Sequence, residues 1–260
     1  MTDATPRYDK IAFVASSAPD AIAARERLAK EYGDAPESDA NVVVALGGDG
    51  FMLQMLHRFR DTGIPIFGMH RGTIGFLMNE FREEGLRERL AEAARSVIHP
   101  LMMEATDVNG VVHRAPALNE VSLLRQSYQA AKLRITIDGK VRMEELICDG
   151  MLVATPVGST AYNLSAHGPI LPLAAPFLAI TPISPFRPRR WRGALVPDRA
   201  RIEIEIREKD KRPVNAVADH FEVRSVVRVK AWMDTASSAV MMFDPGHSLD
   251  ERILNEQFGY

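Results

Sequence analysis

The feature that most constrains the fold is an apolar run, Val42–Leu46, that leads directly into Gly47-Gly48-Asp49-Gly50 and then into a helical pattern. A strand without polar residues is buried on both faces, which is typical of a parallel sheet covered by helices. Glycines before a helix N-terminus let backbone N–H groups approach an anion closely. The segment therefore predicts an α/β sheet with a phosphate-binding loop at its carboxyl edge.

Asp49 does not fit a simple phosphate cradle, because its carboxylate would repel the phosphates. It indicates either a proton acceptor or a contact to a phosphate-bound Mg²⁺. A tight turn with an aspartate helix cap explains the four residues equally well. The loop is neither a Walker loop, which needs Gly-Lys-Ser/Thr, nor a GxGxxG motif.

The first third of the chain alternates strand and helix patterns. Strands are predicted over 11–15, 41–46 and 65–69, and helices over 20–32, 51–59 and 83–95. This alternation predicts an α/β domain with a parallel sheet over residues 1–98.

After His99-Pro100 the segments become short and β-branched, and Asp138-Gly139 between two alternating runs predicts a hairpin. Residues 99–236 are therefore expected to form a β-rich domain, mainly antiparallel and sandwich-like. The last segment, 237–260, has a strand pattern and a short helix pattern, and its packing is left open.

Three further segments carry candidate site residues. Residues 70–77 form a second glycine loop after the third strand, so they meet the first loop at the same sheet edge. Asn119 and Glu120 interrupt an apolar run, and both reach one ligand only if the backbone turns there. Residues 148–165 place small hydroxyl side chains after a Pro-Gly turn, where they are expected to open a helix and bind a polar ligand.

Composition excludes several classes of protein. The 260 residues are 46% hydrophobic and 25% charged, which is typical of a soluble globular protein. The formal charge of −2 provides no overall attraction to nucleic acid or an anionic membrane, so neither is an expected partner. The basic run 186–192 is interpreted as an exposed or interfacial loop. Cys148 is the single cysteine, and no apolar N-terminal or membrane-spanning segment occurs, so a reducing cytoplasm is expected.

The four segments, in this order, resemble the NAD kinase family. The resemblance spans residues 42–219 and is most specific in the block from Asp149-Gly150 to Ser165. The run Thr181-Pro182-Ile183-Ser184-Pro185 adds a further family-like marker.

The resemblance implies a two-domain kinase that transfers phosphate from ATP, or another donor, to the 2′-hydroxyl of the adenosine ribose of NAD and so makes NADP. It implies a divalent metal, Mg²⁺, and a homodimer or homotetramer. It makes Asp49 the catalytic residue beside the acceptor hydroxyl, and Gly47, Gly48 and Gly50 the phosphate loop. The NAD-binding residues that it implies are Asn119, Glu120, Ser159, Thr160 and Ala161 for the adenosine half, Asp149, Tyr162 and Ser165 for the remainder, and Asp219.

Two positions depart from the family pattern. His220 follows Asp219 where glycine is common, and Phe186 stands where the family commonly shows histidine. Two alternatives to an NAD kinase stay open. A lipid kinase of the diacylglycerol or sphingosine type shares the Gly-Gly-Asp-Gly loop but not the block 149–165. A non-catalytic dinucleotide sensor would gain little from the carboxylate of Asp49 near phosphates.

Overall fold

The computed structural model describes residues 8–70 and 75–258. These residues form two compact units, one made of the chain up to Ile98 with Ser237–Asn255, the other of His99–Ala236 with the residues from Glu256 onwards. The elements of the first unit are β1 (Ile11–Ala15), α1 (Pro19–Tyr32), β2 (Val42–Leu46), α2 (Asp49–Arg58), β3 (Ile66–His70), β4 (Asn79–Glu80), α3 (Leu86–Glu92), β5 (Ala94–Ile98), β18 (Ala239–Phe243) and α5 (Leu249–Phe258), the last belonging to it as far as Asn255.

The first unit is built on a six-stranded sheet in the order β1-β2-β3-β18-β5, with β4 beside β3. Strands β1, β2, β3, β4 and β18 pair in parallel, and β5 pairs antiparallel to β18. Every residue of β2 is buried, as its apolar sequence predicts. The predicted α/β class with a parallel sheet is confirmed.

The C-terminal strand β18 lies inside the first sheet, which answers the question that the sequence left open. All five residues of β18 are buried, so the strand needs neighbours on both edges. Asn79, which is fully buried, donates from Nδ2 to the carbonyls of Gly68 and Met242 at 3.0 Å each. Its Oδ1 accepts the N–H of Asp244 at 3.0 Å, so one amide side chain joins β3 to the end of β18.

The helix predicted over 83–95 is shorter in the structure. Gly85 adopts a left-handed conformation, with φ of 67°, and α3 ends at Glu92. Residues Ala94–Ile98 form β5, which pairs with β18 over its whole length. The helical prediction was wrong there because the partner strand lies more than 140 residues away in the sequence, as Ser96 opposite Met241 illustrates.

The second unit consists of two six-stranded antiparallel sheets, so the predicted β-rich class is confirmed. One has the order β10-β9-β14-β17-β6-β7 and the other β13-β12-β11-β8-β15-β16. The strands are β6 (Leu101–Asp107), β7 (Val112–Ala117), β8 (Glu120–Arg125), β9 (Ala131–Ile137), β10 (Lys140–Cys148), β11 (Gly150–Ala154), β12 (Phe177–Ile183), β13 (Ala194–Pro197), β14 (Ile202–Ile206), β15 (Val214–Ala218), β16 (Phe221–Val223) and β17 (Val226–Met233).

The apolar faces of both sheets contribute to one core cluster, which includes Leu133 and Ile204 from one sheet and Val121 and Ala216 from the other. The Asp138-Gly139 hairpin between β9 and β10 is confirmed, and both turn residues have positive φ, 51° and 74°.

Several short connections carry the chain from one sheet of this unit to the other, and two of them carry candidate site residues. Leu118 and Asn119 join β7 to β8, and Asp149 alone joins β10 to β11. After β11 the structure has a 3-10 turn, Val157–Thr160, and a single helical turn, α4 (Tyr162–Ser165), instead of the continuous helix that the sequence suggested. Ala161 separates the two with a non-helical backbone, at φ −90° and ψ −128°.

Within residues 8–70 and 75–258, every helix is too short or too polar to cross a lipid bilayer.

Candidate active site

The first glycine loop connects β2 to α2 and exposes the start of the helix. Gly48 is the residue before the helix, and Asp49 is its first residue. A Cβ atom at Gly47 would lie 2.9 Å from the Cβ of Phe51, whereas a Cβ at Gly48 or Gly50 would have no neighbour within 4 Å. The first N–H groups of a helix have no partner within it. The loop therefore leaves open space beside backbone donors, as an anion site requires.

The side chain of Asp49 binds the second glycine loop. The N–H of Phe76 donates to its Oδ2 at 2.8 Å, and the N–H of Leu77 donates to its Oδ1 at 3.0 Å. Among the described residues, no side chain caps α2 through a hydrogen bond, so Asp49 is not the cap that one interpretation of the sequence suggested. Hydrogen bonds to both oxygens hold the carboxylate in one orientation.

Gly75 is required by this contact. A Cβ atom at position 75 would lie 2.2 Å from Oδ1 of Asp49. The two glycine loops therefore meet at the same sheet edge, as predicted for the part of 70–77 that the structure describes. Residues 71–74, including Gly72, lie outside the described residues.

A cavity lies at the carboxyl edge of β1, β2 and β3, next to the first glycine loop. Its empty space, including the open mouth, is about 400 Å³. Apolar side chains of Leu46, Met69 and Phe81 line it together with Ala21 and Ala24 of α1, and the polar side chains are Ser16, Asp20 and His70. This mixture suits a flat ring with a few polar edges.

In the second unit, Asp219 holds the turn that carries Asn119 and Glu120. Its carboxylate accepts the N–H groups of Leu118 at 2.7 Å, Asn119 at 3.0 Å and Glu120 at 3.3 Å. The backbone does turn between β7 and β8, which is what the sequence required for Asn119 and Glu120 to serve one ligand. Asp219 itself has a positive φ of 51°.

Glu120 is partly buried, and its Oε2 is shielded from solvent and has no hydrogen-bond partner within residues 8–70 and 75–258. Burial, with a smaller contribution from the negative charge of Asp219, raises the pKa of Glu120 to about 7. An unpaired polar atom in such a place costs free energy unless a ligand or proton satisfies it. Glu120 is therefore poised to receive a hydrogen-bond donor.

The segment after β11 is held by buried polar side chains. Thr155 donates from Oγ1 to the carbonyl of Leu118 at 2.7 Å, and a Cβ at Gly158 would lie 2.0 Å from the carbonyl oxygen of Asn119. Ser159 is fully buried, and its hydroxyl donates to the carbonyl of Pro156 at 2.6 Å and accepts the N–H of Leu171 at 2.9 Å. The hydroxyl of Ser159 is thus used within the protein.

Asn163 is the centre of this network, a role that no local pattern in the sequence indicates. Its Nδ2 donates to the carbonyls of Ser159 and Pro169 at 3.0 and 2.9 Å, and its Oδ1 accepts the hydroxyl of Thr181 at 2.6 Å. The sequence did contain one signal of a buried polar contact, because Thr181 is a polar residue in the otherwise apolar strand β12.

The remaining candidates differ in exposure. Tyr162 and Ser165 are exposed on α4, and Thr160 is partly buried, with its hydroxyl donating to the carbonyl of Val157 at 3.2 Å. Ala161 is the connecting residue between the 3-10 turn and α4. Asp149 lies at the second sheet connection. Its side chain is partly exposed at the surface of this unit and forms an ion pair with Arg125.

Comparison with known proteins identifies the class of this chain. Family models for the ATP-NAD kinase N-terminal and C-terminal domains match residues 7–99 and 118–232. The NAD kinase of Caulobacter vibrioides is 60% identical over 258 residues, 99% of each chain. That of Rhizobium meliloti is 58% identical over 252 residues, 97% of this chain and 98% of the relative.

Two solved structures share the fold. A yeast NADH kinase complexed with NADH has a TM-score of 0.79 at 21% identity, covering 98% of this chain and 89% of the other. An Archaeoglobus fulgidus NAD kinase in complex with ATP has a TM-score of 0.73 at 23% identity, covering 95% and 96%.

Because both family models are those of ATP-NAD kinase domains, the α/β unit and the unit of antiparallel sheets that follows it form a two-domain kinase. The chain belongs to the NAD kinase family.

Substitution of Gly75 by alanine tests whether the second loop orients Asp49. The new methyl group would displace the Asp49 carboxylate, because it would overlap Oδ1. We expect turnover to fall by about 10²-fold, the cost of a misplaced reacting group. Steady-state kinetics with a thermal melt checks this, and a folded variant with nearly parental turnover would contradict it.

Substitution of Glu120 by glutamine tests the pKa of the buried carboxyl. Its pKa is raised from 4.5 to about 7, so the folded state keeps a proton that the unfolded state loses between these values. The free energy of unfolding of the parent should therefore fall as the pH rises through this range.

Glutamine has no such titration, so the variant should gain stability relative to the parent, by up to about 3 kcal/mol above pH 7. Urea unfolding across this pH range measures the difference. A difference that does not change with pH would contradict the raised pKa.

Proposed function

We propose that this chain transfers the γ-phosphoryl group of ATP to the 2′-hydroxyl of the adenosine ribose of NAD, with Asp49 as the residue that accepts the hydroxyl proton. The conversion of NAD to NADP follows from membership of the NAD kinase family. The observation that carries the role of Asp49 is its carboxylate, held by two backbone N–H groups at the end of the glycine loop.

The step is a phosphoryl transfer, in which positioning and charge stabilisation supply most of the catalysis. The hydroxyl oxygen attacks the γ-phosphorus, and the bond between this phosphorus and the bridging oxygen of ADP breaks. The hydroxyl proton passes to the Asp49 carboxylate. The backbone N–H groups at the start of α2 bind the phosphate oxygens, with Gly48 and Gly50 leaving room for them.

The acceptor NAD is proposed to bind the second unit through the turn at Asn119 and Glu120. The unpaired Oε2 of Glu120 supports this, since a ribose hydroxyl is a donor that would satisfy it. Thr160, Ala161 and Tyr162 are proposed to line the same site, with Asp149 and Ser165 toward the rest of the dinucleotide. Ser159 and Asp219 contribute by holding the backbone, because their polar groups bind main-chain atoms.

The donor is proposed to place its base in the cavity beside the first glycine loop. Gly47 and Gly48 line the cavity, so a nucleotide whose phosphates bind the loop has the cavity beside it for its base. Its apolar walls from Leu46, Met69 and Phe81 suit a purine ring, and Asp20 offers oxygen acceptors to an amino or hydroxyl group.

Mg²⁺ is proposed to enter with the phosphates of ATP. Among the described residues, no group of three histidine, cysteine or acidic side chains is placed to hold a metal ion. Mg²⁺ commonly binds through substrate phosphates, waters and one or two carboxylates, and Asp49 is the carboxylate of this loop. When bound, the ion neutralises charge on the transferring phosphate.

A homodimer or homotetramer and a cytoplasmic location are also proposed, on the resemblance to the family and on the sequence composition. The buried, unpaired thiol of Cys148 is compatible with a reducing compartment. Size-exclusion chromatography with light scattering measures the oligomer directly.

The lipid-kinase alternative is not favoured, because the models that match both domains are those of ATP-NAD kinases. A non-catalytic sensor would bind NAD without phosphorylating it, so an assay of NADP formation from NAD and ATP tests this alternative.

Asp49→Asn is the direct test of the proton acceptor. Asparagine keeps the shape and one oxygen acceptor but is not a base at neutral pH. We expect the variant to fold and to bind NAD, and to lose about 10²- to 10⁴-fold in turnover. Turnover within a few-fold of the parent, at matched Mg²⁺, would remove Asp49 from the catalytic role.

Ala21→Leu tests the donor cavity. Ala21 lines the cavity from α1, and a leucine there would fill part of the space. We expect the KM for ATP to rise by about 10-fold, equivalent to about 1.4 kcal/mol, with the KM for NAD unchanged. Ala23→Leu, at an exposed position of the same helix, is the matched control and should change neither constant. An unchanged KM for ATP in folded Ala21→Leu protein would contradict the cavity assignment.

A further inference from the structure

The second glycine loop is held from behind by an arginine of the C-terminal helix. Arg252 lies on α5, and its Nη1 donates to the carbonyls of Met78 at 2.7 Å, Gly75 at 3.0 Å and Phe76 at 3.3 Å. Its Nε donates to the carbonyl of His247 at 3.0 Å, within the same C-terminal segment. The guanidinium also lies over the ring of Phe243, with its carbon 5.0 Å from the ring centre.

Two of the carbonyls that Arg252 binds, those of Gly75 and Phe76, belong to the peptide groups that donate to Asp49. The carbonyl of Gly75 and the N–H of Phe76 are two ends of one peptide group, and the carbonyl of Phe76 and the N–H of Leu77 are two ends of the next. Each N–H donates to Asp49, and each carbonyl accepts from Arg252. Two consecutive peptide groups therefore lie between a guanidinium and a carboxylate.

This arrangement has two physical effects. A hydrogen bond to a carbonyl polarises its peptide group, which makes the N–H at the other end a stronger donor. Contacts at both ends also fix the plane of each peptide group, so the two donors to Asp49 cannot rotate independently. Arg252 is partly buried, and burial lowers its pKa while the charges of Asp49 and Asp244 act in the opposite direction.

We propose that Arg252 is a positioning residue for the phosphoryl transfer, acting on Asp49 through the peptide groups Gly75–Phe76 and Phe76–Leu77. This inference rests on the proposed role of Asp49. It gives a residue of the C-terminal helix a part in the reaction. Within the described residues, the hydrogen bonds of Arg252 go to neither residues 47–50 nor the Asp49 side chain, so its effect on Asp49 is indirect.

Arg89 of the same unit provides a matched control. It also lies over a phenylalanine ring, that of Phe67 at 5.1 Å, and it also donates to backbone carbonyls, those of Glu80 at 2.9 Å and Arg82 at 3.1 Å. It forms an ion pair with Asp244 at 2.6 Å. The peptide groups whose carbonyls Arg89 binds do not donate to Asp49, so its loss should affect stability without affecting Asp49.

The experiment compares Arg252→Met, Arg252→Lys and Arg89→Met in the full chain, each assayed for kcat and for the KM values of NAD and ATP. Methionine keeps much of the apolar stem and removes all donors, whereas lysine keeps a charge and three donors without the planar fork. We expect Arg252→Met to lower kcat by about 10- to 100-fold, the scale of a misplaced catalytic group, with both KM values nearly unchanged. Arg252→Lys should recover part of the kcat, and Arg89→Met should keep it while lowering the melting temperature.

Combining Arg252→Met with Asp49→Asn separates positioning from general destabilisation. If Arg252 acts through Asp49, the double variant should turn over at the rate of Asp49→Asn alone, because coupled residues are not additive. A further independent loss in the double variant, or a kcat for Arg252→Met equal to that of Arg89→Met, would overturn the proposal.

If Arg252→Met does not fold, Arg252→Lys carries the same comparison, and parental kcat in this variant overturns the proposal too. Failure of the proposed function has a different signature, since Asp49→Asn alone would then keep its turnover.

Discussion

The candidate site of the first unit depends on the contact between the Asp49 carboxylate and the N–H groups of Phe76 and Leu77. This contact joins the loop after β2 to the loop after β3, and it determines the residue at position 75, where only glycine leaves room for Oδ1. It also turns the side chain of Asp49 away from capping its own helix, so the N–H groups at the start of α2 stay available for phosphate. One contact thus orients the carboxylate that we propose as the proton acceptor, and it leaves open the site that we propose for phosphate.

The second unit uses the same device for a different purpose. Asp219 accepts N–H groups from three consecutive residues, Leu118 to Glu120, and so shapes the turn that presents Asn119 and Glu120. Its negative charge contributes to the raised pKa of Glu120, whose Oε2 stays unpaired. In each unit a carboxylate that accepts backbone N–H groups fixes a loop. In the second unit, the cost of leaving Oε2 of Glu120 unpaired keeps available the atom that we propose binds NAD.

The sequence predicts those elements that short-range patterns determine. The apolar run of β2, the glycine loop after it and the Asp138-Gly139 hairpin are all visible as local signals, and the structure has them. Resemblance to the family supplied the site residues that spacing alone did not. The C-terminal strand β18 was visible as a strand, but its position between β3 and β5 depends on partners more than 140 residues away.

The contacts that orient the site were not visible in the sequence. In the sequence, Arg252 is an ordinary charged residue of a short amphipathic helix. The carbonyls that it binds in the second glycine loop and at Met78 lie about 175 residues earlier in the chain. Asp219 looks like a ligand-binding residue because nothing local shows that its carboxylate is used by the backbone. Asn163 had a local neighbourhood rich in small polar residues, but its role as a hub requires Thr181 on a separate strand. Long-range hydrogen bonds to the backbone leave no periodic signal in the sequence.

Amide hydrogen exchange at Phe76 and Leu77 tests most directly whether these two backbone amides hold the Asp49 carboxylate. We expect both amides to exchange slowly in the parent, and we expect Asp49→Ala to accelerate their exchange while the core amides of β2 stay protected. Rapid exchange at both amides in the parent, or exchange that Asp49→Ala leaves unchanged, would contradict it.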